Sequence, residues 1–185
     1  MLTNSDVQTI QNPLSGLSFK FVLSILLSVL LLAVLPNYSH ASEANEEISS
    51  ITVIDSILND NISLKDQVVY VDFWASWCVP CRLSFPWMQK MRDKYEIHGL
   101  KIITVNLDKD HQAATKFINE LGQGMNVIYD SLGTVAELFK IEAMPTSFIY
   151  DRQGVLQSRH QGFKEKECYS VDSLIRSLLT EEKKQ

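Results

Sequence analysis

Between Val68 and Leu179 the spacing of apolar residues changes period several times, and each change marks an element. Val68 to Trp74 is a β-branched and aromatic run after the polar break Lys65 to Gln67, which predicts a buried strand. From Pro80 to Tyr95, Leu83, Trp87, Met88 and Met91 fall at helical spacing. Pro80 occupies the first turn, where a proline costs no hydrogen bond, whereas Pro86 lies inside and is expected to kink the helix. Gly99 ends that segment, and Leu100 to Asn106 reads as a second strand. A helix over 112–121, a short strand over 126–129 and a helix over 134–140 follow. After Pro145, Thr146 to Tyr150 reads as a strand, Asp151 to Gly154 as a turn and Val155 to Gln161 as its hairpin partner. Glu165 to Leu179 closes the chain as an amphipathic helix. Strands that alternate with helices and end in a hairpin predict an α/β fold with a partly parallel sheet.

The N-terminal third has a different pattern. Phe21 to Leu35 is fifteen residues without a charge, preceded by Lys20 and followed by Pro36. A full membrane span needs about 20 residues, so this length suits the apolar region of an export signal. Ser39-His40-Ala41 places small residues where a signal peptidase reads, with cleavage expected after Ala41. The long segment before Lys20, with Asp6 in it, also fits an uncleaved anchor, and either outcome exports the rest. No Cys lies near that junction to carry a lipid. The expected organisation is residues 1–41 as signal peptide or membrane anchor, 42–60 as polar linker and start of the domain, and 61–182 as the folded domain.

Composition narrows the function. The chain has 185 residues, 45% of them hydrophobic, enough for one well-packed core and short for two. Lys plus Arg number 17 against 22 Asp plus Glu, and no basic run is interleaved with aromatics, so nucleic acid is excluded as a partner. No internal repeat is present.

The chemistry points to Cys78-Val79-Pro80-Cys81. A Cys-x-x-Cys pair at a helix start sets one sulfur near unsatisfied backbone N–H groups and the positive end of the helix dipole, and both favour thiolate. Cys78, first in the helix and expected to be more exposed, is the candidate nucleophile, and Cys81, one turn in, the resolving thiol. Pro80 stiffens the loop and Arg82 adds positive charge nearby. Two other readings of the pair stand beside this one. A structural zinc site would need two more ligands, and Cys168, His98, His111 and His160 form no second close pair. A purely structural disulfide would close so short a loop that it would constrain little chain entropy. Cys168, on the last helix beside Tyr169, is expected to be a small buried hydrophobe.

The segment Val71 to Arg82 (Val-Asp-Phe-Trp-Ala-Ser-Trp-Cys-Val-Pro-Cys-Arg) resembles the active-site segment of thioredoxin-fold proteins, closest to the exported TlpA-like and ResA-like thiol:disulfide oxidoreductases. The likeness continues to Pro86 and to Met144-Pro145-Thr146, which matches the family's cis-proline loop. It implies a thioredoxin-like fold, a central mixed β-sheet flanked by helices, with an extra helix-strand insertion before that loop. It also implies that Pro145 packs against the disulfide, that Met144 offers backbone hydrogen bonds to an extended partner segment, and that Asp72 is a buried acid able to take the proton of Cys81. Trp77, beside Cys78, is expected to shape docking. The chain departs from the family twice: Thr104 stands where thioredoxins usually have a Lys, and Ser84 where many TlpA-like members have a Glu.

The expected function is dithiol-disulfide exchange at Cys78 and Cys81 with no cofactor, reducing disulfides of exported proteins, with a membrane thiol carrier as electron donor. By family analogy apocytochrome c is among the expected clients. The competing class is a thioredoxin-like binding or metal-delivery module without turnover. A thiol peroxidase fits less well, because the motif holds two cysteines.

Overall fold

Strand β1 (Val68–Trp74) is buried at all seven positions and forms the centre of the sheet. It pairs in parallel with β2 (Leu100–Asn106), in register from Val68 opposite Leu100 to Trp74 opposite Asn106. On its other side it runs antiparallel to β4 (Thr146–Tyr150), with Phe73 opposite Thr146. Strand β3 (Asn126–Tyr129) adds in parallel to β2, and β5 (Leu156–Gln161) adds antiparallel to β4, giving the order β3-β2-β1-β4-β5. The sheet is therefore mixed, as expected. In the computed structural model, residues 51–58 and 63–181 are described. The apolar segment Phe21 to Leu35, the expected cleavage position after Ala41 and the polar stretch to Ser50 lie outside them.

Parallel strands need crossovers, and two helices supply them. Helix α2 (Val79–Tyr95) joins β1 to β2, and α3 (His111–Leu121), capped by the Asp110 carboxylate on the Gln112 N–H, joins β2 to β3. Helix α4 (Thr134–Leu138) precedes β4. It is shorter than the predicted 134–140, because Lys140 takes a left-handed φ of 50° that no helix accommodates. The last helix, α5 (Cys168–Thr180), follows a single 3-10 turn at Glu165–Glu167. After α2, a 3-10 turn at Glu96–His98 ends on Gly99 at φ 99°, a conformation that suits glycine and feeds the chain into β2.

Alternation along β1 divides the interior in two. Val68, Tyr70 and Trp74 face α2, α3 and α5, where Phe85, Met88, Phe117 and Ile175 are buried. Val69, Val71 and Phe73 face the other side, where Phe139, just after α4, and Phe148 of β4 pack on Phe73 with centroids 4.9 and 5.9 Å away. The second layer also holds a helix that the sequence reading did not place. Residues 51–57, here α1, are helical, and Ile51, Ile54 and Leu58 are buried against β1 and β4. Along α2, Met88 and Met91 are buried and Trp87 packs against the core as expected, but Leu83 does not. Leu83 is 58% exposed, and the buried stripe is Cys81, Ser84, Phe85, Met88, Met91 and Tyr95. The helix continues through Pro86 to Tyr95. Among the described residues no helix is long and apolar enough to cross a membrane.

Because Ile54 is fully buried, Ile54→Ala is expected to cost about 2–5 kcal/mol of unfolding free energy. Urea unfolding followed by far-ultraviolet circular dichroism checks this, and a loss below about 0.5 kcal/mol, the scale of a surface change, would mean that α1 is not part of the cooperative core.

Candidate active site

The end of β1 feeds directly into the cysteine loop. Trp74 is fully buried between Phe85 and Phe117, with ring centroids 5.0 and 4.6 Å away, and the two phenylalanines touch each other at 4.9 Å. This aromatic trio fixes the strand end beneath the start of α2. Beyond it the loop is tied down by Asp108, just past the end of β2. One Asp108 carboxylate oxygen accepts from the Ser76 N–H at 2.8 Å and the other from the Ser76 hydroxyl at 2.9 Å. The Asn106 side-chain amide donates to the same carboxylate at 2.7 Å, and Asn106 Oδ1 accepts from the Asp108 N–H at 3.2 Å. The Leu107 N–H donates to Trp74 O at 2.9 Å, so the two strand ends leave the sheet side by side. Sequence reasoning missed Asp108 and Ser76. They are 32 residues apart, and the in-register pairing of β1 with β2 is what brings them together.

Cys78 caps α2. Its backbone is extended, and its sulfur accepts from the Cys81 N–H at 3.3 Å. The first turn contains no acidic residue, so nothing opposes the positive end of the helix dipole at that sulfur. Cys78 and Cys81 are joined as a disulfide, with Cα atoms 5.3 Å apart. Cys78 is 5% exposed and Cys81 is not exposed at all, so Cys78 is the more exposed residue of the pair. Pro80 is exposed in the first turn. Around the pair the surface is apolar: Trp77 is 68% exposed and Val79 71%. Arg82 is turned away from solvent-facing sulfur chemistry toward α3, where it pairs with Glu120 at 3.1 Å and lies over the Phe117 ring at 5.2 Å.

The Met144–Pro145 peptide bond is cis, as the resemblance implied. Pro145 is buried and Met144 half-buried. Since Phe73 pairs with Thr146, the next step along the antiparallel register sets Pro145 level with Trp74, at the sheet end that carries the cysteine loop. Thr146 Oγ1 donates to Ala143 O at 2.7 Å, and the Gly162 N–H to Pro145 O at 2.7 Å, which hold the loop on both sides.

Asp72 is 1% exposed in mid-strand, on the face of β1 that carries Tyr70 and Trp74 and that α2 covers. Burial pushes its carboxyl well above the usual aspartate range. Its Oδ2 has no hydrogen-bond partner among the described residues, and neither has Trp74 Nε1 two residues on. The adjacent Thr104 on β2 directs its hydroxyl to Asn126 O at 3.1 Å, so no cation stands beside the acid on that side. Cys168 differs from expectation: it is free and half-buried at the first position of α5, lining a small cavity beside Tyr70.

Because the Asp72 carboxyl holds its proton to higher pH when folded than when unfolded, folding stability is full below the ordinary aspartate value of about 3.9 and falls as pH rises through the folded value. Asp72→Asn is expected to be more stable than the natural protein at neutral pH, with the advantage vanishing below the ordinary aspartate range. Thermal unfolding at a series of pH values checks this, and a pH-independent difference would be the contrary result.

Residues 52–159 match the model of the AhpC/TSA family. The chain is 33% identical over 120 residues to the thiol-disulfide oxidoreductase ResA of Oceanobacillus iheyensis, a match that takes in 65% of this chain and 59% of that relative, less than two thirds of its length. It is 28% identical over 149 residues to sporulation thiol-disulfide oxidoreductase A of Bacillus subtilis, covering 77% of this chain and 90% of that one. Among solved structures, a protein described as a thiol:disulfide interchange protein DsbE from Chlorobium tepidum superposes with a TM-score of 0.61 at 40% identity, over 63% of this chain and 82% of that one. The chain belongs to the AhpC/TSA family, and within it to the thioredoxin-like relatives named as thiol-disulfide oxidoreductases.

Proposed function

We propose that the protein is a thiol:disulfide oxidoreductase that reduces disulfides of exported proteins. The observation that carries this reading is the Cys78–Cys81 disulfide at the start of α2, at the sheet end that also bears the cis Met144–Pro145 bond, with the buried Asp72 carboxyl on the adjoining face. In the dithiol form, the Cys78 thiolate attacks one sulfur of a client disulfide and expels the other client sulfur as thiolate. Asp72 takes the Cys81 proton, the Cys81 thiolate attacks Cys78, and the second client sulfur leaves. Two electrons pass from the dithiol to the client, and the Cys78–Cys81 bond forms. The exposed Trp77, with Met144 and Pro145, forms the surface on which an extended client segment lies.

Pro80 directly before Cys81 favours the reducing direction, because strongly oxidising relatives of this fold usually carry His there. The apolar segment Phe21 to Leu35 supports placement outside the cytoplasm, as a cleaved signal or a tether. There the disulfide must be recharged, and a membrane thiol carrier is the donor class this location calls for. Apocytochrome c, with its paired thiols, is a client class in keeping with the family.

The natural protein is expected to reduce insulin with dithiothreitol as donor, and Cys78→Ser to abolish this. Cys81→Ser is expected to accumulate mixed disulfides with exported clients through Cys78, read by non-reducing gel and mass spectrometry. An inert natural protein that still holds partners after Cys78→Ser would instead identify a binding module. The potential of the couple is expected near the thioredoxin value of roughly -270 mV, and a value near roughly -120 mV would reverse the assigned direction.

A further inference from the structure

Under the reading just given, on which this inference rests, Asp72 accepts a proton as Cys81 attacks, so only an ionised Asp72 can serve, and an Asp72 already protonated has first to lose that proton to water. When the disulfide is reduced, Cys81 leaves as thiolate and is protonated from Asp72 in turn. A residue 1% exposed has almost no direct contact with solvent. On the β2 side Thr104 is engaged with Asn126 O and offers no exit. On the other side a polar row runs outward. Asp72 is paired in register with Ser147 on β4, and Ser147 with His160 on β5. Register partners present their side chains on one face with Cβ atoms about 4.5–5.5 Å apart. The row therefore leads from the interior to a half-buried histidine on the edge strand.

The Tyr70 side chain shares the Asp72 face of β1 and borders the same space as Ser147. Tyr70, Ser147 and His160 line a cavity of about 30 Å³, bounded on the α5 side by Lys164, Glu167 and Cys168. A water needs roughly 10–15 Å³ and two or more polar partners, and this cavity provides both. Trp87, Gly162, Phe163 and Val171 complete the wall, so the polar groups of the cavity are gathered on the side of Ser147, His160 and α5.

We propose that Ser147 and water in this cavity carry the proton between Asp72 and solvent, with His160 as the outer exchange group. Each oxygen gives up one proton as it accepts another, so only Asp72 and His160 change charge. His160 Nε2 lies 2.8 Å from the Ser158 hydroxyl on its own strand, which orients the ring. Across the cavity Lys164 and Glu167 pair at 3.1 Å and largely cancel. Burial and the neighbouring Glu165 and Glu167 push the Cys168 thiol up, so it stays protonated and leaves the exchange to the imidazole. Tyr70 likewise keeps its proton, its phenol pushed far up by burial and by Asp72.

Ellman's reagent separates the steps on the full chain, with Cys168 replaced by Ser in every protein compared so that the free third thiol does not contribute: attack by Cys78 releases one coloured thiolate, and resolution by Cys81 a second. Reduced protein equilibrated in acid, where Asp72 is protonated, is mixed with reagent in neutral buffer. In His160→Ala the first release is expected to match the natural protein, which also shows that the fold is intact, while the second slows at least roughly tenfold and is restored by added imidazole. A second release as fast as in the natural protein, or slowed but indifferent to imidazole, would overturn the relay. Asp72→Asn distinguishes the two levels: if it leaves the second release unchanged, the assignment of Asp72 as proton acceptor fails, whereas a slow Asp72→Asn beside a fast His160→Ala removes the relay alone.

Discussion

Everything in this molecule is arranged around a strand that has water on neither face. All seven residues of β1 are buried, so its two-residue period sends alternate side chains into two separate cores. One core is closed by α2, α3 and α5, the other by α1 and α4. Six of the seven positions suit such an environment. The seventh is Asp72, whose carboxyl has a buried oxygen without a hydrogen-bond partner among the described residues and is held protonated more readily than an ordinary aspartate. A buried polar group without partners costs stability, and its retention at the strand that delivers the cysteine loop ties that cost to the site.

The strands were legible because β-branched and aromatic runs have few alternatives, and β1 to β4 begin and end where the apolar runs do. Helix α1 was not, although its signal is present. Ile51, Ile54 and Leu58 have helical spacing, but Thr52, Val53 and the neighbouring polar tract obscure it. In α2 the element and its buried Met88 and Met91 were read correctly, and the first turn was not. Counting apolar letters starts at Leu83, whereas the buried stripe starts at Cys81 and passes through Ser84, residues that do not look like core. Leu83 is left facing solvent beside the cysteine turn.

The candidate site divides the same way. The Cys pair is a local pattern and could be read from four residues. The cis bond before Pro145 came only from the resemblance, since a single loop proline gives no sign of its isomer. Asp108 and the Ser147-His160 row were invisible because they are products of strand register, which no local window contains. Thr104, read as a missing lysine, has a positive structural role instead: it fastens β3 to β2 through Asn126 O.

The Asp108 clamp on Ser76 has a mechanical consequence. Both bonds to the loop end on the backbone N–H and hydroxyl of Ser76, and neither involves sulfur. Neither bond has to break for the Cys78–Cys81 bond to open or close. The fastening of the loop to the sheet is thus separate from the chemistry of its two sulfurs.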